Sequence, residues 1–335
     1  MTQETILITG VTGFLGAALA DHLIKNTNYN IIATTRQLTP LHKNIKQIVI
    51  GDLNQNINWI PILTKVDHII HLAGRAHIMQ DNAKNPLKEF RKINTESTLK
   101  LAKQAAQLGI KRFIYLSSIK VNGEHTKPEK PFQYNDKNIP TDPYALSKYE
   151  AEQGLKQIAQ DTGMQFIIIR PPLVYGPKVK ANFLNMMQWL YKGTPLPLGS
   201  INNKRSLIAL DNLIDLIITC INHPKAKNNT FLVSDDEDIS TTELLKRMAD
   251  ALGKPSRLLA IPSSILTLTA TLLGKKEIAQ RLCNSLQVDI KHTKKTLDWK
   301  PPISINKALK KTANAFIKET QPRNHTIKQS PHRSD

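Results

Sequence analysis

The feature that most constrains this chain is a glycine-spaced turn near its start. Thr9-Gly10-Val11-Thr12-Gly13-Phe14-Leu15-Gly16 lies between an apolar run, Ile6-Leu7-Ile8, and a segment from Ala17 to Lys25 in which Leu19, Leu23 and Ile24 recur at helical spacing. A strand–turn–helix unit of this kind turns tightly and brings backbone N–H groups to a helix N-terminus, where a pyrophosphate is favoured. A glycine triplet alone is a weak signal, and its place between strand and helix gives it meaning. Gly10, Thr12, Gly13, Phe14, Leu15 and Gly16 are therefore the first candidate dinucleotide contacts.

The next 150 residues repeat the alternation. Asn30–Thr34, Ile48-Val49-Ile50, His68–Leu72, Arg112–Leu116 and Gln165–Ile169 read as strands, with helical stretches at Leu87–Leu108 and Tyr144–Thr162. Apolar strands separated by helices predict an α/β fold: a Rossmann-like, doubly wound parallel sheet covered on both faces. The pattern loosens after Pro171, where Phe183–Tyr191, Leu210–Asn222 and Thr241–Gly253 look helical between Pro- and Asn-rich loops. The expected organisation is a nucleotide-binding domain over 1–172, which the chain re-enters around 205–222. A smaller mixed lobe for substrate then spans 173–317, and a polar, disordered tail spans 318–335. The longest apolar stretch, Leu258 to Leu273, is interrupted by Pro262, Ser263 and Ser264 and is too short to span a bilayer. A buried helix is the expectation there, with a membrane-surface contact as the other reading.

Composition enters as a question about partners. The 335 residues carry 46 Lys and Arg against 27 Asp and Glu, a net charge of +19. Such an excess invites nucleic acid as a partner. It is spread, however: 22 basic against 14 acidic residues over 1–179, and 24 against 13 over 180–335. No arm or tail concentrates it, so no nucleic-acid partner is expected. One local cluster stands out, Lys291, Lys294, Lys295, Lys300, Lys307, Lys310 and Lys311 with only Asp298 opposing in that span. It reads as a solvated helical face or, at most, a peripheral contact with an anionic membrane. Cys220 and Cys283 are too few for a disulfide framework and lack metal-ligand spacing, so no metal is expected. A strand at Thr5–Thr9 leaves no room for a secretory signal, which makes the cytoplasm the expected location.

The second strand runs into Thr34-Thr35-Arg36 with no acid to meet a ribose 2′-hydroxyl. Arg36 leans the cofactor toward NADP or dual use rather than NAD alone. Asp52, followed by Leu53, could accept a hydrogen bond from an adenine amino group or equally cap a turn. Further along, Tyr144 and Lys148 fall at i and i+4 on one helix face, behind an Asp142-Pro143 start. A free tyrosine titrates near pH 10, and a neighbouring lysine cation is expected to lower that value. Ser117-Ser118, at a strand end, offers a hydroxyl for a carbonyl or alcohol oxygen.

Together Thr9–Gly16, His71-Leu72-Ala73-Gly74, Asn94, Ser117-Ser118, Tyr144 with Lys148, and Arg170-Pro171 resemble the extended short-chain dehydrogenase/reductases, the NAD-dependent epimerase/dehydratase group, over about residues 4–316. The resemblance implies a Rossmann domain, a lobe for a nucleotide sugar, and a homodimer through the helices around Leu87–Leu108 and Tyr144–Thr162. It implies Ser118 as catalytic, Tyr144 as proton donor or acceptor and Lys148 as ribose binder. Leu72, Ala73, Gly74, Asn94 and Pro171 would line the cofactor. On the sugar side it points to Asn182 and Arg205 at the diphosphate, with Arg281 a second arginine. Arg75, His77 and Lys120 could face the sugar.

Three chemistries share this apparatus. Sugar dehydratases that resemble this chain carry an Asp-Glu pair after the strand-end hydroxyl, because water loss needs more carboxylate work. Here Ile119-Lys120 stands there, which disfavours dehydration. Epimerases often carry Tyr-Phe-Asn after the arginine where this chain has Pro171-Pro172-Leu173. The stretches Ser118–Glu124, Arg170–Asn182 and Ser285–Asp289 look most similar to bacterial reductases of UDP-4-keto-6-deoxy-N-acetylhexosamine that serve surface polysaccharide. Reduction of a 4-keto UDP-sugar is therefore the expected activity, with UDP-N-acetylhexosamine or UDP-glucose 4-epimerisation as the alternative.

Overall fold

The computed structural model describes residues 3–75, 85–274 and 276–320. Its first strand, β1 (Thr5–Thr9), shows why the main sheet forms. Ile6 and Ile8 point into one apolar cluster and Leu7 into another, so the strand is buried on both faces. A strand covered on both sides must be apolar at every position, and the run Ile-Leu-Ile meets that demand. The same holds for β2 (Asn30–Thr35), β4 (His68–His71), β5 (Arg112–Leu116) and β6 (Gln165–Arg170), whose centres are also buried. With β3 (Ile45–Val49) and the later β9 (Asn229–Leu232) they form a seven-stranded sheet, ordered β3-β2-β1-β4-β5-β6-β9, in which every pair is parallel.

The helices divide between the two faces. On one face lie α1 (Phe14–Asn26) and α7 (Leu210–Asn222). On the other lie α2 (Ile60–Leu63), α4 (Ser97–Gln107) and α5 (Pro143–Thr162). The strand order reverses between β1 and β4, and the crevice beyond their carboxyl ends is where this architecture takes a ligand. The Leu72 N–H donates to Thr9 O at 3.3 Å, which pins the β4 exit against the glycine turn.

The smaller lobe has its own core. β7 (Leu173–Tyr175), β8 (Arg205–Ala209) and β10 (Asp238–Ile239) form a mixed sheet, with β7 parallel and β10 antiparallel to β8. These short strands, unlike the helices, carry no periodicity long enough to be read from sequence. Residues of α6 (Ala181–Tyr191), α8 (Thr241–Ala251) and α12 (Ile305–Thr320) pack on that sheet. Ser285–Asp289 stitches the halves together: Thr126 N–H donates to Ser285 O, Phe132 N–H to Gln287 O, and Ser206 N–H to Leu286 O.

Several expectations are corrected. The helical stretch expected over Leu87–Leu108 is continuous but changes winding: α3 (Pro86–Phe90), a π-helical turn at Arg91–Glu96, and α4. The buried helix expected at Leu258–Leu273 is instead α9 (Ser263–Leu272), which has no buried residue. Only its Leu266 side reaches the lobe core, so an uncharged sequence was not a signal of burial here. Lys318 to Thr320, expected in the tail, belong instead to α12, where the Thr320 hydroxyl donates to Phe316 O at 2.7 Å. Residues 321–335 and His77 lie outside the described residues. In the lysine cluster, borne apart from Lys300 by α11 (Lys291–Leu297) and α12, Lys294 pairs with Asp236 and Lys311 with Asp211, both at 2.6 Å. Those acids come from distant sequence, which is why the cluster looked unopposed. Among the described residues no helix is long and apolar enough to cross a membrane.

Candidate active site

The glycine turn is sterically tight. Gly10 has φ +75°, and a Cβ there would stand 2.7 Å from Ala73 N. A Cβ at Gly16 would overlap the Gly10 carbonyl. The backbone of β1, the β4 exit and the start of α1 therefore meet with no room for side chains. Gly13 caps α1 without any side-chain hydrogen bond, and the first turn of α1 holds no acid. An unscreened positive helix end faces the crevice, which suits an anion. Leu15 is buried and Phe14 packs between the two cores, while Thr12 and Gly13 are exposed at the turn.

His71 fastens this region from below. Its Nδ1 shares a 2.7 Å hydrogen bond with the Thr9 hydroxyl and its Nε2 a 2.9 Å bond with the Thr98 hydroxyl. Burial, reinforced by the Lys148 charge, pulls its pKa down to about 3, so the ring is neutral. The Thr9 hydroxyl also accepts from Ala73 N–H at 3.2 Å. Next to it, Gly74 faces Asn94 and Lys148: a Cβ would lie 2.9 Å from Asn94 Oδ1 and 3.3 Å from Lys148 Nζ. Asn94 sits in the π-helical turn, accepts from Arg75 N–H at 2.8 Å and donates to Ser147 Oγ at 3.0 Å. Such turns often mark functional positions, because the extra residue re-aims a side chain.

Tyr144 and Ser118 are brought within hydrogen-bonding reach of each other, and Lys148 lies one turn further along the same helix. Asp142 caps α5 by accepting from Ala145 N–H at 2.9 Å, and Pro143 opens the helix. Tyr144 then meets the buried Phe90 edge-on, with ring centres 5.8 Å apart, and Arg75 lies over the other ring. Ser118 shares a hydrogen bond with Tyr144. The two serines at the strand end are separated by their partners: Ser117 is buried against Glu152, whereas Ser118 is half-buried beside the phenol. Lys148 is buried, donates to Leu116 O at 3.0 Å and lies 4.7 Å from the centre of the Tyr115 ring.

The electrostatics differ from the expectation. Lys148 was expected to lower the Tyr144 pKa, but burial raises it, opposed by the Ser118 hydrogen bond. The ammonium is engaged with Leu116 O and the Tyr115 ring instead. Burial pulls Lys148 itself down to about 8, with the Glu152 carboxylate resisting.

Sequence reasoning overlooked Glu152. It continues the Tyr144–Lys148 face by one further turn and is fully buried. It accepts from Ser117 Oγ and pairs with Arg170 through Nε at 2.9 Å and Nη2 at 2.5 Å. Arg170 Nη1 donates to Asn122 Oδ1 at 2.9 Å. An acid on the buried face of a helix was the available signal. Pro171, beside this network, accepts from Ile119 N–H at 3.0 Å and so anchors the turn after Ser118.

The remaining candidates fall into three places. Arg36 and Asp52 meet at 3.9 Å beyond β2 and β3, both largely exposed, and Leu53 packs on the core below. Lys120 reaches Glu124 at 3.3 Å and Asp142 at 3.7 Å, directly beside the Tyr144 helix start. On the lobe, Arg205 Nη1 donates to Arg281 O at 2.8 Å and Asn284 O at 3.1 Å, so the two expected arginines are neighbours across 76 residues of sequence. Burial lowers the Arg205 pKa. Arg281 pairs with Glu277 at 3.4 Å. Asn182 is exposed in the first turn of α6. Among the described residues no cluster of His, Cys, Asp or Glu could hold a metal ion.

Comparison with known proteins identifies the family and the fold. The sequence model of the NAD dependent epimerase/dehydratase family matches residues 6–234. A UDP-glucose 4-epimerase of Vibrio cholerae is 46% identical over 315 residues, spanning 94% of this chain and 96% of that protein. Among solved structures, UDP-N-acetylglucosamine 4-epimerase from Methanobrevibacter ruminantium M1, in complex with UDP-N-acetylmuramic acid, matches with a TM-score of 0.77 at 22% identity, covering 95% of this chain and 100% of that one. UDP-glucuronic acid 4-epimerase from Bacillus cereus in complex with NAD gives 0.75 at 18% identity, covering 94% and 97%. At these identities the two structures speak to the fold.

Proposed function

The chain belongs to the NAD dependent epimerase/dehydratase family, and from that premise we propose that it is an NAD-dependent 4-epimerase of a UDP-hexose or UDP-N-acetylhexosamine. The relative that shares 46% of its residues over nearly the whole length carries this reading, ahead of the one-way ketoreduction expected from the sequence. Ketoreduction keeps one point in its favour, the Pro171-Pro172-Leu173 run that replaces the Tyr-Phe-Asn of epimerases this chain resembles.

The residues present fit a dinucleotide. Glycine is required where backbone must approach closely, the α1 N-terminus is uncapped, and Lys148 and Asn94 converge on Gly74. In this reading Gly10–Gly16 hold the pyrophosphate and Lys148 the nicotinamide ribose. UDP-glucuronic acid 4-epimerase from Bacillus cereus, a structure of the same fold, is in complex with NAD, which supports NAD as the dinucleotide here. Bound there, nicotinamide supplies the hydride exchange at C4 of the sugar.

The chain's own residues bind, orient and move a proton. Ser118 and Tyr144 hydrogen-bond the C4 oxygen, and the Tyr144 phenol exchanges its proton with that oxygen. Burial holds the phenol protonated, and the Ser118 hydroxyl beside it is the group that favours its ionisation. Arg205, a guanidinium desolvated against two carbonyls, pairs with the substrate diphosphate, with Arg281 beside it. The test is interconversion: UDP-glucose and UDP-galactose, or their N-acetyl counterparts, should approach one equilibrium mixture from either side without added reduced cofactor. Net oxidation of NADH by a UDP-4-keto-6-deoxy sugar, with no interconversion, would replace the epimerase by the ketoreductase.

The Lys148 value sets a pH dependence for the free protein. Its pKa falls from 10.5 to about 8 on folding, so between those values the unfolded chain holds a proton that the folded chain has released. This group therefore makes the fold more stable as pH rises through that window. NAD affinity should move the other way, weakening about tenfold above pH 8 as a charge-assisted hydrogen bond is lost. Titration calorimetry across this range reads both the affinity and its absence of pH dependence in Lys148→Met.

A further inference from the structure

The C-terminal lobe exposes an apolar helix of which only Leu266 packs on the lobe core. From Leu258 to Gly274 the sequence has no charged residue. Within α9, Ile265, Leu268 and Leu272 recur at i, i+3 and i+7 and are 51%, 62% and 79% exposed, forming one outward stripe. Leu259 and Leu273 extend it. Within the helix Thr267 donates to Ser263 O, Thr269 to Ile265 O and Thr271 to Thr267 O, at 2.7–2.9 Å. A helix that satisfies its own side-chain donors suits an apolar medium.

The border of the patch is cationic and aromatic. Leu196 N–H donates to Arg257 O and Leu259 N–H to Leu196 O, while Thr194 N–H donates to the backbone of the half-exposed Trp189. Arg257 reaches Gly193 O, and Lys254 lies over the Tyr191 ring at 4.8 Å. We propose that α9 and its border form an interfacial anchor that seats the protein on an anionic lipid bilayer, with the leucine stripe at the acyl boundary and the cations among the headgroups. Charge complementarity selects this occupant. A second copy of the chain would bring the same cationic rim and the same net +19. The anchor also has a bearing on the site: α9 packs on α10 (Lys276–Cys283), and the carbonyls of Arg281 and Asn284 at its end hold Arg205. Docking would thus bring the candidate diphosphate subsite near the membrane surface.

The test uses the full chain with vesicles of phosphatidylcholine alone and of an equimolar mixture with phosphatidylglycerol. Sedimentation should occur with the mixture, weaken with salt and be slight with phosphatidylcholine. Trp59 and Trp299 are buried, so Trp189 is the tryptophan whose emission brominated acyl chains should quench. The double variant Leu268→Glu with Leu272→Glu should lose vesicle binding by about tenfold or more. Its thermal midpoint and its turnover of a soluble sugar nucleotide should stay the same, and Arg257→Gln should weaken binding in the same direction. No sedimentation with the mixture, equal binding to both vesicles, or binding unchanged in the double variant would overturn the proposal. A self-association that the double variant abolishes, without vesicle binding by the parent, would assign the face to a second copy instead.

Discussion

Tyr144→Phe should keep the fold and the affinity for NAD while turnover falls by about 10²–10⁴-fold, the usual contribution of a positioned acid–base group. The substitution removes one oxygen and leaves the ring on Phe90, whose edge-on contact at 5.8 Å does not involve the hydroxyl. What disappears is the proton carrier beside Ser118. The phenol cannot be replaced by its surroundings: His71 is held neutral and bonded at both nitrogens, Ser117 is committed to Glu152, and Lys148 is bonded to Leu116 O. The measurement is kcat for C4 interconversion beside the thermal midpoint and the NAD dissociation constant. Near-normal kcat with all else unchanged would remove Tyr144 from the chemistry, whatever the fold.

The residues that sequence patterning located share a property: their partners are close along the chain. The glycine turn follows from a strand, three glycines and a helix in order, and Tyr144 and Lys148 are four residues apart on one helix. Glu152, which it missed, has its partner far away along the chain, and Asn94, Arg205 and Arg281 entered only through the family resemblance. Glu152 looks like any solvated acid on a helix until Arg170 arrives from β6. Arg205 and Arg281 meet only because Ser285–Asp289 folds back along β8. Asn94 is aimed by a π-helical turn, a one-residue change of backbone that leaves no trace in apolar periodicity. The α9 stretch misled for the opposite reason. Uncharged sequence marks an apolar environment, and here that environment is not supplied by the lobe's own core.

Glu152→Ala should destabilise the protein by about 3–5 kcal/mol, because it leaves an arginine buried without its carboxylate. Both partners are buried, and Arg170 would keep only its bond to Asn122. Ser117 would lose its acceptor as well. The pair as a unit is another matter: taking two charges out of water offsets much of their attraction, so Glu152→Met combined with Arg170→Met should cost far less than the sum of the single changes. Denaturant unfolding of the three variants measures that coupling. Glu152 also acts on the site through charge, since its carboxylate resists the fall of the Lys148 pKa. In Glu152→Gln, which preserves shape and part of the hydrogen bonding, the pH at which NAD affinity weakens should move below that of the parent. A merely structural role for Glu152 would lower stability and leave that pH where it was, so the shift in the binding profile is the observation that distinguishes a support of the fold from a support of the lysine.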